Sequence, residues 1–256
     1  MDRSVVVAFE GVSKRFGPLQ ALDDVTLAIR GPGATAILGP NGAGKSTLLD
    51  LAQGLSDPDA GHVSVLGARV NSHSYPRRRV GVVMQREFVM DRVTTAEYAE
   101  LFAAIYGVAG GRERILREAR LEDRARTMMS RLSGGEAARL FAAAATVHDP
   151  EVVFLDEPTA SLDPENKRRL GAWMKELAKT RTVIVTTHDL READAFCDDL
   201  VFLVGGKLRA AGSRVELAAR VPAEARTGHD AEDVFFHVCR ADLERVATHD
   251  GRMLSP

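Results

Sequence analysis

One stretch limits the possible folds more than any other. The apolar run 34–38 passes directly into Gly39-Pro40-Asn41-Gly42-Ala43-Gly44-Lys45-Ser46-Thr47, and a helical segment follows to residue 52. A strand, a glycine-rich turn and a helix in that order form the setting of a phosphate-binding loop. Closely spaced glycines let backbone N–H groups curl around phosphate oxygens, and the helix dipole adds its positive end. Lys45 neutralises the charge, and the Ser46 hydroxyl is placed to ligate Mg²⁺. A glycine turn with a solvated lysine is the competing reading, and the flanking strand and helix argue against it.

Three further runs, 80–84, 152–156 and 182–186, are also almost continuously apolar and β-branched, as strands covered on both faces are. They predict a parallel core. Segments 4–9, 25–29 and 62–66 alternate only partly and are divided by Gly, Pro and Asp, which predicts strands of a peripheral antiparallel layer. Strand signals vanish between residues 93 and 147, where 96–106, 112–119 and 136–147 carry helical spacing. The expected fold class is therefore α/β: a P-loop NTPase core with a mainly parallel sheet, a peripheral antiparallel β layer and an inserted helical lobe. Asp163 before Pro164 is an N-cap ahead of a proline at the first helical position, opening a helix to about residue 179. Gly205-Gly206 marks a hairpin. Beyond residue 213 polar residues dominate, apart from an apolar knot at Val234, Phe235, Phe236 and Val238 suited to docking a short helix.

Composition narrows the class. The 34 basic and 36 acidic residues give a net charge of -2, and with the signs interspersed this argues against a nucleic-acid footprint. No run approaches the roughly 18 apolar residues of a membrane span. The first residues lack the pattern of a secretory signal, so a cytoplasmic chain is expected. Cys197 and Cys239 lack metal-like spacing and are expected to be buried or incidental thiols.

Two more motifs carry chemistry. Asp156 ends an apolar run, which places its carboxylate at the ligand edge of a sheet, suited to holding Mg²⁺ through water. Glu157 follows it and is assigned as the base that orients a water and accepts its proton, a role worth on the order of 10² to 10⁴ in rate. His188 closes the run ending Val185-Thr186-Thr187 and is expected to hold the γ-phosphate and the attacking water. Each of these residue types, met alone, more often caps a helix or faces solvent; their company decides. Leu132-Ser133-Gly134-Gly135-Glu136 reads as a capping box, Ser133 satisfying free N–H groups and Glu136 reaching back. A capped, glycine-opened helix end is also an anion site.

Together these residues resemble the ATP-binding cassette ATPases, the motor subunits of membrane transporters, over nearly all of residues 5–212. In that resemblance, residues 132–136 are similar to the family's signature motif. The resemblance implies that Gln85 senses Mg²⁺ and water, that Phe16 stacks on adenine, and that Asp163 joins the nucleotide-binding set. It also implies a head-to-tail dimer in which Lys45 of one protomer and Ser133, Gly134 and Gly135 of the other clasp one ATP. The implied cofactors are ATP and Mg²⁺. The implied partners are a separate transmembrane permease and a second ATPase subunit, identical or related, with no nucleic acid; the implied place is the inner face of the cell membrane.

Two departures stand out. Glu136 occupies a position where Gln is commonest, and its carboxylate is expected to turn into the cap, away from phosphate. The run 141–146 is nearly all alanine where relatives often carry a basic residue. Residues 91–107 and 230–238 resemble export-type subunits, with contact to a permease expected near 88–93; import remains the alternative direction. Arg77-Arg78-Arg79 is read as a solvated strand entry rather than a lipid patch. The expected domains are an ATPase domain, 1–212, with a helical lobe at about 86–147, and a short helical tail, 213–256. A soluble cassette ATPase of DNA repair or translation is the alternative function, with little in its favour: there is no coiled-coil insertion, Cys cluster or basic stripe.

Overall fold

The computed structural model describes residues 3–83, 90–160, 162–228 and 230–249. In chain order its main elements begin with β1 (Ser4–Phe16), β2 (Leu19–Gly31), β3 (Gly33–Leu38), α1 (Lys45–Gln53), β4 (Ala60–Val65), β5 (Ala68–Arg69) and β6 (Val80–Val83). Three helices follow, α2 (Thr95–Tyr106), α3 (Gly111–Ala119) and α4 (Gly134–Thr146). The chain then runs through β7 (Val152–Asp156), α5 (Pro164–Ala178), β8 (Thr182–Thr187), α6 (Leu190–Phe196), β9 (Asp199–Val204), β10 (Lys207–Ser213), α7 (Arg214–Arg220) and α8 (Asp230–His249).

The central sheet has the order β10-β9-β3-β8-β7-β6. All of its neighbours pair in parallel except the edge hairpin β9–β10. Burial on both faces explains why these strands read as unbroken apolar runs: Ala34, Ala36 and Leu38 of β3 join one apolar cluster and Ile37 the other. All three phosphate-site segments leave the carboxyl ends of neighbouring strands β3, β8 and β7, where ligands of open α/β sheets bind.

A second, antiparallel sheet, β2-β1-β4-β5, covers the outer face of α1 and β3. Its first two strands are 13 residues each, far longer than the sequence pattern predicts. The reason is irregular pairing: the register shifts between Phe9 and Val12 and again beyond Val12, where Gly11 and Asp24 take positive φ. A bulge consumes a residue and breaks the period-two alternation from which a strand is recognised.

The helical lobe matches its predicted segments closely. Thr94 and Glu97 form a capping box at α2, and Gly107 closes that helix in the left-handed region. In α4, Ala142 to Ala145 are all buried; the alanines let this helix lie close to the sheet beneath the lobe. Arg114 of α3 pairs with Asp149, which also binds Arg181 just before β8, so one carboxylate fastens the lobe to the core. Both cysteines are buried and unbridged, and burial pushes the Cys197 thiol up to about 12. Arg79 meets Glu151 across the entry to β6, and Arg77 lies over the Tyr75 ring.

The tail is more structured than a docked short helix. Val234 is buried, and Phe235 sits 6.2 Å from Phe202, while Phe236 faces outward. Ala231 N–H donates to the Asp194 carboxylate on α6 at 2.9 Å. Among the described residues no helix is long and apolar enough to cross a membrane.

Candidate nucleotide site

The loop 39–44 turns so sharply that two of its glycines have no substitute. Gly44 caps α1 at φ 101°, and a Cβ there meets the Ala21 carbonyl at 2.5 Å; on Gly39 a Cβ meets the Leu203 carbonyl at 2.1 Å. Inside this turn Lys45 is 5% exposed, and its ammonium donates to the Gly39 carbonyl at 2.8 Å and the Pro40 carbonyl at 3.2 Å. Burial lowers the Lys45 pKa, opposed by the charges of Glu157 and Asp156. Ser46, at the next position, lies 3.3 Å from the Asp156 carboxylate, to which Thr186 also donates.

Glu157 is the strained residue of the site. Its φ is 44°, in the left-handed region that non-glycine residues seldom occupy. The conformation is held from behind, because its N–H donates to both the carbonyl and the hydroxyl of Thr186. The turn points the carboxylate at Lys45 Nζ, 3.8 Å away, and at His188 Nδ1, 3.5 Å away. The His188 side chain is half exposed while Glu157 is nearly covered. Backbone strain of this kind costs on the order of 1–3 kcal/mol and collects where a side chain must be aimed.

The other residues singled out in the sequence lie on separate elements. Ser133, Gly134 and Gly135 open α4 in the lobe. Ser133 N–H donates to Glu136 at 2.8 Å and the Ser133 hydroxyl accepts from the Glu136 N–H, the expected capping box. The Ser133 N–H holds the Glu136 carboxyl below its ordinary range, with Arg124 3.4 Å away. Gly135 packs against Asn166, where a Cβ would stand 2.2 Å from the side-chain amide. Asp163 spends its carboxylate capping α5 through Glu165 and Asn166 N–H groups and the Asn166 amide. Phe16 sits in the β1–β2 hairpin, 51% exposed, with Lys14 Nζ 5.5 Å from its ring. Gln85 and residues 84–89 lie outside the described residues, as does Ser161.

Sequence reasoning passed over Thr186, Asn166 and Arg139. The Arg139 guanidinium donates to the Ala119 carbonyl at 2.9 Å and the Gly135 carbonyl at 3.2 Å, tying the end of α3 to the opening of α4. A lone arginine six residues past the Ser133 cap carries no pattern that marks it, whereas the Thr186-Thr187 pair at a strand end did offer one.

A glycine loop around a buried lysine, backed by strand-end carboxylates on a parallel sheet, defines a P-loop nucleotide-binding protein. A family model described as "ABC transporter" matches residues 22–160. The chain belongs to the ABC transporter family, as an ATP-binding and ATP-hydrolysing subunit. It is 34% identical to "Nod factor export ATP-binding protein I" of Ralstonia nicotianae over 83% of this chain and 68% of that one. The Burkholderia orbicola protein of that name is 36% identical over 81% and 70%. Among solved structures, the ATP-binding subunit of an ABC transporter is similar at TM-score 0.79 and 26% identity, covering 91% of this chain and 99% of that one. A dimeric ATP-binding cassette in a post-hydrolysis state, bound to ADP and Pi, is similar at 0.73 and 28%, covering 81% and 98%. Nothing in these likenesses supports the DNA-repair or translation alternative.

Proposed function

We propose that this subunit powers export through a separate membrane permease, working on the cytoplasmic face as a pair of ATPase subunits that enclose ATP between them. The relatives' names support the direction, and the dimeric cassettes among the similar structures support the pairing. Within the chain we assign 1–212 to the ATPase domain, with the lobe inserted, and 213–256 to a helical tail.

The observation that carries the reading is the convergence of Lys45, His188 and Glu157 within 3.8 Å at the end of β7. Glu157 is the group that orients water and takes its proton; His188 fixes the far side of that water; Lys45 and the N–H groups at residues 42–47 receive phosphate oxygens. Ser46 and Asp156 offer hard oxygen donors 3.3 Å apart, which fits Mg²⁺. When bound there, the ion draws charge from the phosphate oxygens. Ser133, Gly134 and Gly135 present a second anion-binding helix end, one a partner's ATP can use. Phe16, exposed on its hairpin, supplies a face for adenine, and Asp163 holds the start of α5 beside the signature glycines.

The deciding variant is Glu157→Gln in the full-length chain. ATP is expected to stay bound, hydrolysis to fall by about 10²-fold or more, and gel filtration with ATP to show a species of twice the mass. Hydrolysis at the parental rate removes Glu157 from its role. For the permease, capture of a multi-span membrane protein from native membranes is the expected result, and recovery of nucleic acid or ribosomes overturns the transport reading.

A further inference from the structure

Helices α2, α4 and α7 each turn the glutamate of their first turn back onto the N–H of the capping residue, completing a capping box. Helix α6, whose capping residue follows His188, has the same layout and does otherwise. Asp189 caps it, receiving the Arg191 and Glu192 N–H groups. The N–H of Asp189 itself, though, goes to the Thr187 hydroxyl at 3.0 Å. Glu192 is thereby released from the cap, and its carboxylate reaches across to other parts of the chain.

Its contacts are specific. One oxygen accepts from the Thr159 hydroxyl and, at 3.4 Å, from the Thr187 hydroxyl. The other meets Lys167 Nζ of α5 at 2.7 Å. Thr159 is 3% exposed and belongs to the turn that Glu157 opens, closed by the Ala160 N–H on the Glu157 carbonyl. Thr187 is 4% exposed and immediately precedes His188. A cleft of about 30 Å³ between the two turns has Glu157, His188 and Glu192 all on its wall.

We propose that Glu192 is a positioning residue for hydrolysis, a carboxylate shared by the Glu157 turn and the His188 strand end that sets the distance between those two side chains. The proposal rests on the roles assigned above to Glu157 and His188. Both side chains leave from short connections, and Glu157 additionally holds a left-handed backbone. Without Glu192 the two buried hydroxyls lose the acceptor they share, and the turns are free to shift independently. A shift approaching 1 Å at a reacting group costs up to about 10²-fold in rate. The ion pair with Lys167 at 2.7 Å aims the carboxylate from the α5 side, leaving its other oxygen for the two hydroxyls. A merely structural glutamate would lower stability and leave turnover alone.

The test measures kcat, ATP dissociation constant and thermal midpoint for full-length Glu192→Ala, Glu192→Gln, Thr159→Val and the Glu192→Ala/Thr159→Val double variant. Arg191→Ala, whose side chain pairs only with Glu232 among the described residues, is the control on the same helix. Glu192→Ala is expected to lower kcat about tenfold with ATP affinity unchanged. Glu192→Gln, which keeps an acceptor for Thr159, should recover part of the loss, and the double variant should be no slower than Glu192→Ala. A kcat within twofold of the parent, or losses at Glu192 and Thr159 that multiply independently, overturns the proposal. Should Glu192→Ala fail to fold, Thr159→Val decides: a kcat lowered several-fold with ATP affinity unchanged is expected, and a kcat within twofold of the parent overturns the proposal. Normal hydrolysis by Glu157→Gln would sink the underlying reading, whereas an inactive Glu157→Gln beside fully active Glu192 variants sinks this inference alone.

Discussion

In the proposed dimer Glu136 would stand near a partner's triphosphate, and its carboxylate is already turned into the cap by a hydrogen bond. Its side chain accepts from the Ser133 N–H at 2.8 Å and is 3.4 Å from Arg124. Replacing it by glutamine preserves the capping geometry, so Glu136→Gln is expected to change ATP affinity by less than about twofold. Isothermal titration of the full-length chain checks this, and tenfold tighter binding would show that the charge does face the ligand. The capping box was legible because Ser and Glu three positions apart before an apolar helix specify it by their own chemistry. The left-handed backbone of Glu157 was not, since nothing in the order of side chains announces a positive φ at a glutamate. The Glu157–His188 proximity was likewise hidden: the sequence placed both residues at strand ends, and only the pairing of β7 with β8 makes them neighbours.

Beside the apolar cluster that runs through lobe and core, Asp149 supplies a charged clasp between them. Arg114 forks onto its carboxylate with bonds of 2.8 and 2.7 Å, and Arg181 adds one at 2.7 Å. The Arg114 hydrogen bonds, then those of Arg181, lower the Asp149 pKa from 3.8 to about 2. A carboxyl depressed in the folded state contributes stability above its unfolded pKa and loses it as pH falls through the folded value. Asp149→Asn tolerates the positive φ at this position. It should therefore cost about 1 kcal/mol at neutral pH, a figure discounted for an exposed group. The gap in thermal midpoint between parent and variant should hold from pH 8 to 5 and close between about pH 4 and 2. A gap that stays constant down to pH 2 would mean the charge plays no part. Helices and parallel strands in this region were readable from apolar spacing, but the clasp was not, because its members lie 32 and 35 positions apart along the chain.

For the molecule as a whole, α8 closes over the end of the sheet: Ala231, Val234 and Cys239 are buried, and Asp233 accepts from the Thr227 N–H and hydroxyl. Ending the chain after residue 226 should reduce stability by roughly 3–6 kcal/mol, the worth of two buried apolar side chains. Denaturant unfolding measures it, and an unchanged midpoint would assign the tail no part in the fold. The apolar knot foretold a docked helix, but its facing was settled by packing: Phe235 turns inward against Phe202, while Phe236 next to it is left outside. The two-layer plan could be read from strand composition, whereas the length of the outer hairpin could not, since bulges erase the alternation that reveals a strand. The row of alanines in α4 has a mechanical side. Four neighbouring side chains of one carbon each, all buried, leave the turn no slack: a larger residue at Ala144, which is fully covered, would overpack the seam at a cost of about 1–3 kcal/mol. The guanidinium of Arg114, bonded to the Val147 carbonyl at 3.1 Å, closes the same seam at the far end of the helix.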